Sequence, residues 1–135
     1  MNGRFLLDSH VFLWMAEDEA LLQPAAREAL ADAIEVFLSP VSIAELCIKS
    51  AAGKLPLPPP IQADPATGFT QLAEAMGLAL LPLELEPAAA LLNLPRHHGD
   101  PFDRLIVAQA ILNGLTLVTH DRSLAAYEGL DILWT

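Results

Sequence analysis

Four carboxylates stand out as the residues whose type and placement could do chemistry: Asp8, Glu45, Asp103 and Asp121. Asp8 directly follows the apolar run Phe5-Leu6-Leu7, and Asp121 follows the apolar run Leu115-Thr116-Leu117-Val118 after the two residues Thr119 and His120. If those runs are parallel strands, both acids emerge at the same edge of a sheet. Glu45 and Asp103 each fall near the start of a predicted helix entering from that edge, so acids distant in sequence would converge. Two like charges about 5 Å apart at an effective dielectric near 20 repel by roughly 3 kcal/mol. Such a cluster requires a bound divalent cation or strongly raised pKa values. Oxygen donors without histidine or thiolate partners suit Mg²⁺ or Mn²⁺. An ion so held can orient a water for in-line attack on phosphorus and neutralise the leaving oxygen, and phosphodiester hydrolysis is the reaction that fits. Ser9 and Thr119, beside Asp8 and Asp121, are placed to donate hydroxyl hydrogen bonds to the acids. Lys49 and Arg104 are candidate phosphate contacts.

Each acid also has a purely structural reading. Ser42-Ile43-Ala44-Glu45 has the pattern of a capping box, in which Glu45 satisfies a helix start. In Asp100-Pro101-Phe102-Asp103, Asp100 reads as an N-cap, Pro101 as the first helical residue and Asp103 as a carboxylate favoured by the helix dipole. Asp121 is placed to cap a short helix through Ala126, and Asp8 to end its strand in an Asx turn. Lys49 stands one helical turn from Glu45 and is placed to pair with it. Only the joint pattern favours a catalytic cluster. His97 and His98 are adjacent with no further ligand at metal spacing and read as loop surface. His10 and His120 read as lone histidines, and Cys47 as a core residue.

The elements that must position these residues alternate. After the strand ending at Leu7 comes an apolar helical stretch Val11–Met15, then a helix opened by Pro24 and running to Ala33, and a strand Ile34–Leu38. A helix from Ser42 ends before Gly53. Leu55–Pro60 carries four prolines and is expected to run extended across the surface. Then follow a helix Thr67–Met76, a strand Leu78–Leu83, a short helix Pro87–Leu92, a strong helix Asp100–Asn113 closed by Gly114, a strand Leu115–Val118 and an edge strand Ile132–Trp134. Alternating helices and nearly continuous apolar strands predict a parallel sheet covered on both faces, with its site at the carboxyl ends of the strands.

The chain has 135 residues and is 53% hydrophobic, enough for one domain, 1–135, with its own core. One cysteine excludes an internal disulfide, and no stretch has the apolar length of a membrane span, so a cytoplasmic protein is expected. The net charge of -10 argues against a broad nucleic-acid-coating surface. The few basic residues are uneven, however: Lys49, Lys54, Arg104 and Arg122 all lie within ten residues of a candidate acid.

Four ordered motifs now connect: Leu6-Leu7-Asp8-Ser9-His10; Glu45-Leu46-Cys47-Ile48-Lys49 with Gly53-Lys54-Leu55; Asp100-Pro101-Phe102-Asp103-Arg104; and Leu117-Val118-Thr119-His120-Asp121. Together they resemble the PIN domain family, and within it the VapC-like toxins of toxin-antitoxin pairs, over essentially the whole chain. The resemblance implies a three-layer α/β/α sandwich with a mostly parallel sheet and Mg²⁺- or Mn²⁺-dependent cleavage of single-stranded RNA. It makes Asp8, Glu45 and Asp103 the principal metal-binding acids and Asp121 a fourth, more variable one, with Asp100 belonging to the helix-start motif. It further implies a homodimer and a cognate antitoxin whose tail occupies the site. Gly99 stands where an arginine often precedes the Asp-Pro-Phe-Asp motif, and Ala44 where a tryptophan often precedes the glutamate. Neither departure removes an acid.

Two other classes remain to be weighed. A PIN-like protein acting mainly as a binding or regulatory partner would suit the acidic charge. A receiver-like signalling domain would need a lysine on a late strand end and paired early acids, and both are missing.

Overall fold

The first strand, β1 (Arg4–Leu7), buries Phe5, Leu6 and Leu7 completely, as parallel strands covered on both faces do. Its neighbours are β2 (Glu35–Leu38) on one side and β4 (Thr116–Thr119) on the other. The short β3 (Ala79–Leu80) lies outside β2, and β5 (Ile132–Trp134) outside β4. In this computed structural model, which describes residues 2–135, the sheet is parallel throughout, in the order β3-β2-β1-β4-β5. The direction in which strands are added reverses between β1 and β4, and a crevice opens at such a switch point.

Helices cover both faces and make three layers. Phe5, Leu7, Leu38, Val118 and Leu133 share one core with Val11 and Phe12 of α1 (Ser9–Glu17), Ala26 of α2 (Pro24–Ala31), Leu46 of α3 (Pro40–Ala51), Ile61 of α4 (Pro59–Ala63) and Phe69 of α5 (Pro65–Ala75). Leu6, Phe37 and Leu117 share the other with Ile106, Val107 and Ala110 of α7 (Pro101–Asn113). The short α6 (Leu85–Ala90) precedes α7. Each fully buried Leu or Phe contributes about 1.5–3 kcal/mol, so the alternation within β1 alone ties both outer layers to the sheet. Among the described residues no helix is long and apolar enough to cross a membrane.

Proline sets many of the helix starts. Five helices, α2, α3, α4, α5 and α7, carry it in the first turn, where its missing N–H has no intrahelical role. This corrects the expectation that Leu55–Pro60 is extended throughout, because Pro59 and Pro60 open α4. The strand expected over Leu78–Leu83 shrinks to Ala79–Leu80, with Leu81 and Pro82 following it in the irregular stretch that leads into α6. The other predicted elements appear with ends shifted by at most two residues. The helix expected from Ser42 starts earlier, at Pro40, with Ser39 as its cap.

Gly68 marks where α5 presses on α4. A Cβ there would sit 2.8 Å from the Cα of Ile61 and 3.0 Å from its Cγ1, so the helices would have to separate. Alanine in a helix normally gains about 1 kcal/mol over glycine, whereas overpacking costs about 1–3 kcal/mol. Gly68→Ala is therefore expected to lower Tm, while Gly99→Ala, with nothing within 4 Å, leaves it essentially unchanged. Thermal melts of both variants check this; a higher Tm for Gly68→Ala would contradict the close approach.

Candidate metal centre

Asp8 continues β1, with its N–H bonded to the Val118 carbonyl at 3.1 Å, and it caps α1 by accepting from the Val11 N–H at 2.8 Å. The other oxygen accepts from the Thr119 hydroxyl at 2.5 Å, across the β1/β4 crevice. Thr119 in turn accepts from the Asp121 N–H at 3.1 Å. One hydroxyl thus fixes both acids that leave the adjacent strands. Asp121 caps the 3-10 turn Arg122–Ala126 by accepting from the N–H and hydroxyl of Ser123.

Glu45 comes from the second turn of α3 and is 6% exposed. Its two oxygens accept from the Ser9 hydroxyl at 2.9 Å and from Lys49 Nζ at 2.7 Å. The capping-box reading of Ser42–Glu45 fails, because Ser39 is the cap and Glu45 lies too far along the helix to reach it. Asp103 sits in the first turn of α7, which Asp100 caps by accepting from the N–H groups of Phe102 and Asp103. Asp8, Glu45, Asp103 and Asp121 line one cavity of about 320 Å³, together with His10, Lys49, Asp100, His120 and Arg122.

The electrostatics of that cavity are those of crowded negative charge. Burial, then the charges of Asp100 and Glu45, push Asp103 up to about 7, and His98 offsets this only in part. Burial raises Asp8 too, although Thr119, the Val11 N–H and two histidines oppose it. Burial also acts upward on Asp121, but the Ser123 hydrogen bonds and His98 outweigh it and hold this carboxyl below its ordinary value. The hydrogen bond to Glu45, with further attraction from Glu45, Asp100 and Asp103, raises Lys49.

Three expectations need correction. Arg104 is not a phosphate contact: it is 8% exposed and its guanidinium donates to the carbonyls of Leu91, Leu94 and Pro95. It therefore ties the start of α7 to the loop after α6, where helix-end carbonyls lack partners. His98, expected as loop surface, reaches into the site. Its Nε2 lies 3.2 Å from Asp103 Oδ2 and 3.3 Å from Asp121 Oδ2. His97 does turn outward, with its ring against Tyr127. Nor are His10 and His120 isolated: their rings are 5.3 Å apart at the cavity rim.

One ligand atom each from His98, Asp103 and Asp121 lies within 4.8 Å of the others, the spacing of a possible ion site. The imidazole, however, accepts the Asp100 N–H at Nδ1. Its proton must then be on Nε2, which makes His98 a donor to the two acids rather than a ligand. Asp8 and Glu45 line the same cavity without joining that trio, their oxygens already accepting hydrogen bonds. A carboxylate oxygen retains a second lone pair when it accepts one hydrogen bond. The donor set, all hard oxygens around a buried carboxyl that resists ionisation, fits a divalent cation of the Mg²⁺ or Mn²⁺ type. Asp8, Glu45, Asp103 and Asp121 would hold it.

Comparison with known proteins points to one family. A model of the PIN domain matches residues 5–130. Ribonuclease VapC22 of Mycobacterium tuberculosis is 35% identical over 123 residues, 90% of each chain. Among solved structures, DNA-bound VapBC from Salmonella typhimurium superposes with a TM-score of 0.69 at 19% identity over 97% of each chain. VapBC2 from Rickettsia felis, bound to a promoter DNA fragment, gives 0.67 at 15% identity over 96% of this chain and 97% of that one. At those identities the solved structures speak for the fold.

Two outcomes follow from the site. Between its ordinary pKa near 3.8 and about 7, Asp103 holds its proton in the folded chain and has lost it in the unfolded one. Its contribution to stability is therefore present at low pH and lost as pH rises through 7. Asp103→Asn should melt higher than the parent in metal-free buffer, by a margin that widens from pH 4 to pH 7. Mn²⁺ should raise the parent's Tm at pH 7.5 and leave the variant's nearly unmoved; a parent indifferent to Mn²⁺ would contradict the site. Arg104→Ala, by contrast, should lose about 1–3 kcal/mol in denaturant melts, because three half-buried carbonyl bonds lose their charged donor, while the remaining folded protein keeps its Mn²⁺ response.

Proposed function

The chain belongs to the PIN domain family, and from that premise we propose that it is a metal-dependent endoribonuclease that cleaves single-stranded RNA as the toxin of a toxin-antitoxin pair. The observation that carries this reading is the convergence of Asp8, Glu45, Asp103 and Asp121 from β1, α3, α7 and the turn after β4 into one cavity at the β1/β4 switch. The ribonuclease name of a relative 35% identical over 90% of each chain supports it. The cognate antitoxin is supported by the VapBC complexes among the solved structures that share the fold.

A bound Mg²⁺ or Mn²⁺ would supply a polarised water and charge neutralisation at the phosphate. The chain's own residues do the positioning. Thr119 and the Val11 N–H fix the rotamer of Asp8. Ser9 and Lys49 do the same for Glu45, and Lys49 leaves this site with one fewer uncompensated charge. His98 donates toward Asp103 and Asp121 and keeps them facing each other. Ionisation of Asp103 is the costly step, because burial opposes it, and the cation's charge is what would drive it. Lys49 and Arg122, both lining the cavity, are the cations nearest an incoming phosphate. Arg104 takes no part. Mg²⁺ and Mn²⁺ are both consistent with the donor set, and a homodimer is proposed from the family pattern alone.

Purified, partner-free protein incubated with a pool of single-stranded and structured RNAs tests this. Cuts are expected with Mn²⁺ or Mg²⁺, none with EDTA, and a loss of at least about a hundredfold in Asp8→Asn and Asp103→Asn, since each removes a positioned charge at the reacting centre. Undiminished cutting by Asp8→Asn would overturn the site. No cuts under any condition, alongside tight binding of a partner protein, would transfer the assignment to a non-catalytic binding partner.

A further inference from the structure

We propose that His10, Trp14 and His120 form a stacking platform for an unpaired nucleobase beside the acidic cavity, a proposal that rests on the ribonuclease reading above. His10 and His120 stand at the cavity rim, and the Trp14 ring lies beside them. The Trp14 and His120 centroids are 4.9 Å apart, those of His10 and His120 5.3 Å, and those of His10 and Trp14 6.3 Å. His10 and Trp14 stand one turn apart on α1 and so share a face. His10 and His120 are exposed and line the cavity, while Trp14 is half-buried against the core and gives the group a fixed base.

The platform's distance from the acids is set by the chain itself. His10 is two residues beyond Asp8, and His120 lies between Thr119 and Asp121. The hydrogen bonds that fix Asp8 and Asp121 through Thr119 therefore also fix where the rings stand. A nucleotide whose phosphate reached the acids would carry its neighbouring base toward this rim.

Charge gives the platform its reason. With a net charge of -10, the chain cannot gather RNA through a basic surface as most nucleic-acid-binding domains do. Stacking on aromatic faces needs no positive charge and tolerates any base, because every base has a π-face. It does require the base to be unstacked from its helix, so it selects single-stranded over duplex substrate. Structured RNA would offer its phosphates to the acids and no base to the rings.

The test measures binding of a short mixed-sequence single-stranded oligoribonucleotide and of a ribose-phosphate strand of the same length without bases. Ca²⁺ neutralises the acids during binding, and cleavage is scored in parallel with Mn²⁺. Of the two tryptophans, Trp14 and Trp134, replacing Trp134 by Phe leaves emission that reports Trp14. The oligoribonucleotide should quench that emission and the baseless strand should not. Trp14→Leu should weaken binding of the oligoribonucleotide roughly ten- to a hundredfold while leaving the baseless strand's weak binding unchanged. His120→Ala, at an exposed position, should weaken it in the same base-dependent way and decides the matter if Trp14→Leu melts early. Equal affinity for the two strands, or unweakened binding in both variants, overturns the platform. Cleavage with Mn²⁺ but no base-dependent binding overturns the platform alone, and neither cleavage nor binding overturns it together with the ribonuclease reading.

Discussion

The mutual repulsion of carboxylates drawn to one crevice is the constraint on which this structure turns. Parallel β1 and β4, side by side where strand addition changes direction, deliver Asp8 and Asp121 to the same edge. Helix α7 adds Asp103 and α3 adds Glu45. Each acid is held by donors that leave part of its oxygen valence free: Val11 N–H and Thr119 for Asp8, Ser9 and Lys49 for Glu45, Ser123 and His98 for Asp121. Asp103 alone has only His98, and it is the acid driven up to about 7. The fold brings these charges together at a cost to its own stability, as expected where geometry serves a bound ion and not the empty chain.

Several structural readings of the acids turn out to be additions, not alternatives. Asp8 and Asp121 are N-caps and cavity residues at once. A cap residue has its backbone fixed by the element it begins and its side chain aimed along a known direction, which is a rigid mount for an acid. Asp100 is the true cap of α7, and this frees Asp103 for the cavity.

Much of the sheet and the four acids were legible because they depend on local signals: apolar runs, cap residues, and prolines at helix starts. What escaped the sequence depends on which way a side chain turns between elements. Arg104 adjoins an acid in sequence yet serves the loop after α6, and a signal was present, since it shares a helix face with the buried Val107 and Ala108 one turn on. A long cation on a buried face is drawn to unpaired carbonyls. His98 could not be told from His97 by composition, and only the Asp100 N–H, two residues on, selects which imidazole turns inward. The contacts of the His120 ring with His10 and Trp14 join residues more than a hundred positions apart and left no local trace.

The central claim is that ionising the half-buried Asp103 and binding a cation are one event, and calorimetry of Mn²⁺ binding in buffers of different ionisation enthalpy measures it most directly by counting protons released per ion. At pH 6, one unit below the value near 7 held by Asp103, release approaching one proton per ion is predicted, falling toward zero by pH 8 and absent in Asp103→Asn. Mn²⁺ binding with no proton release at pH 6, or with release unchanged in Asp103→Asn, would contradict the account.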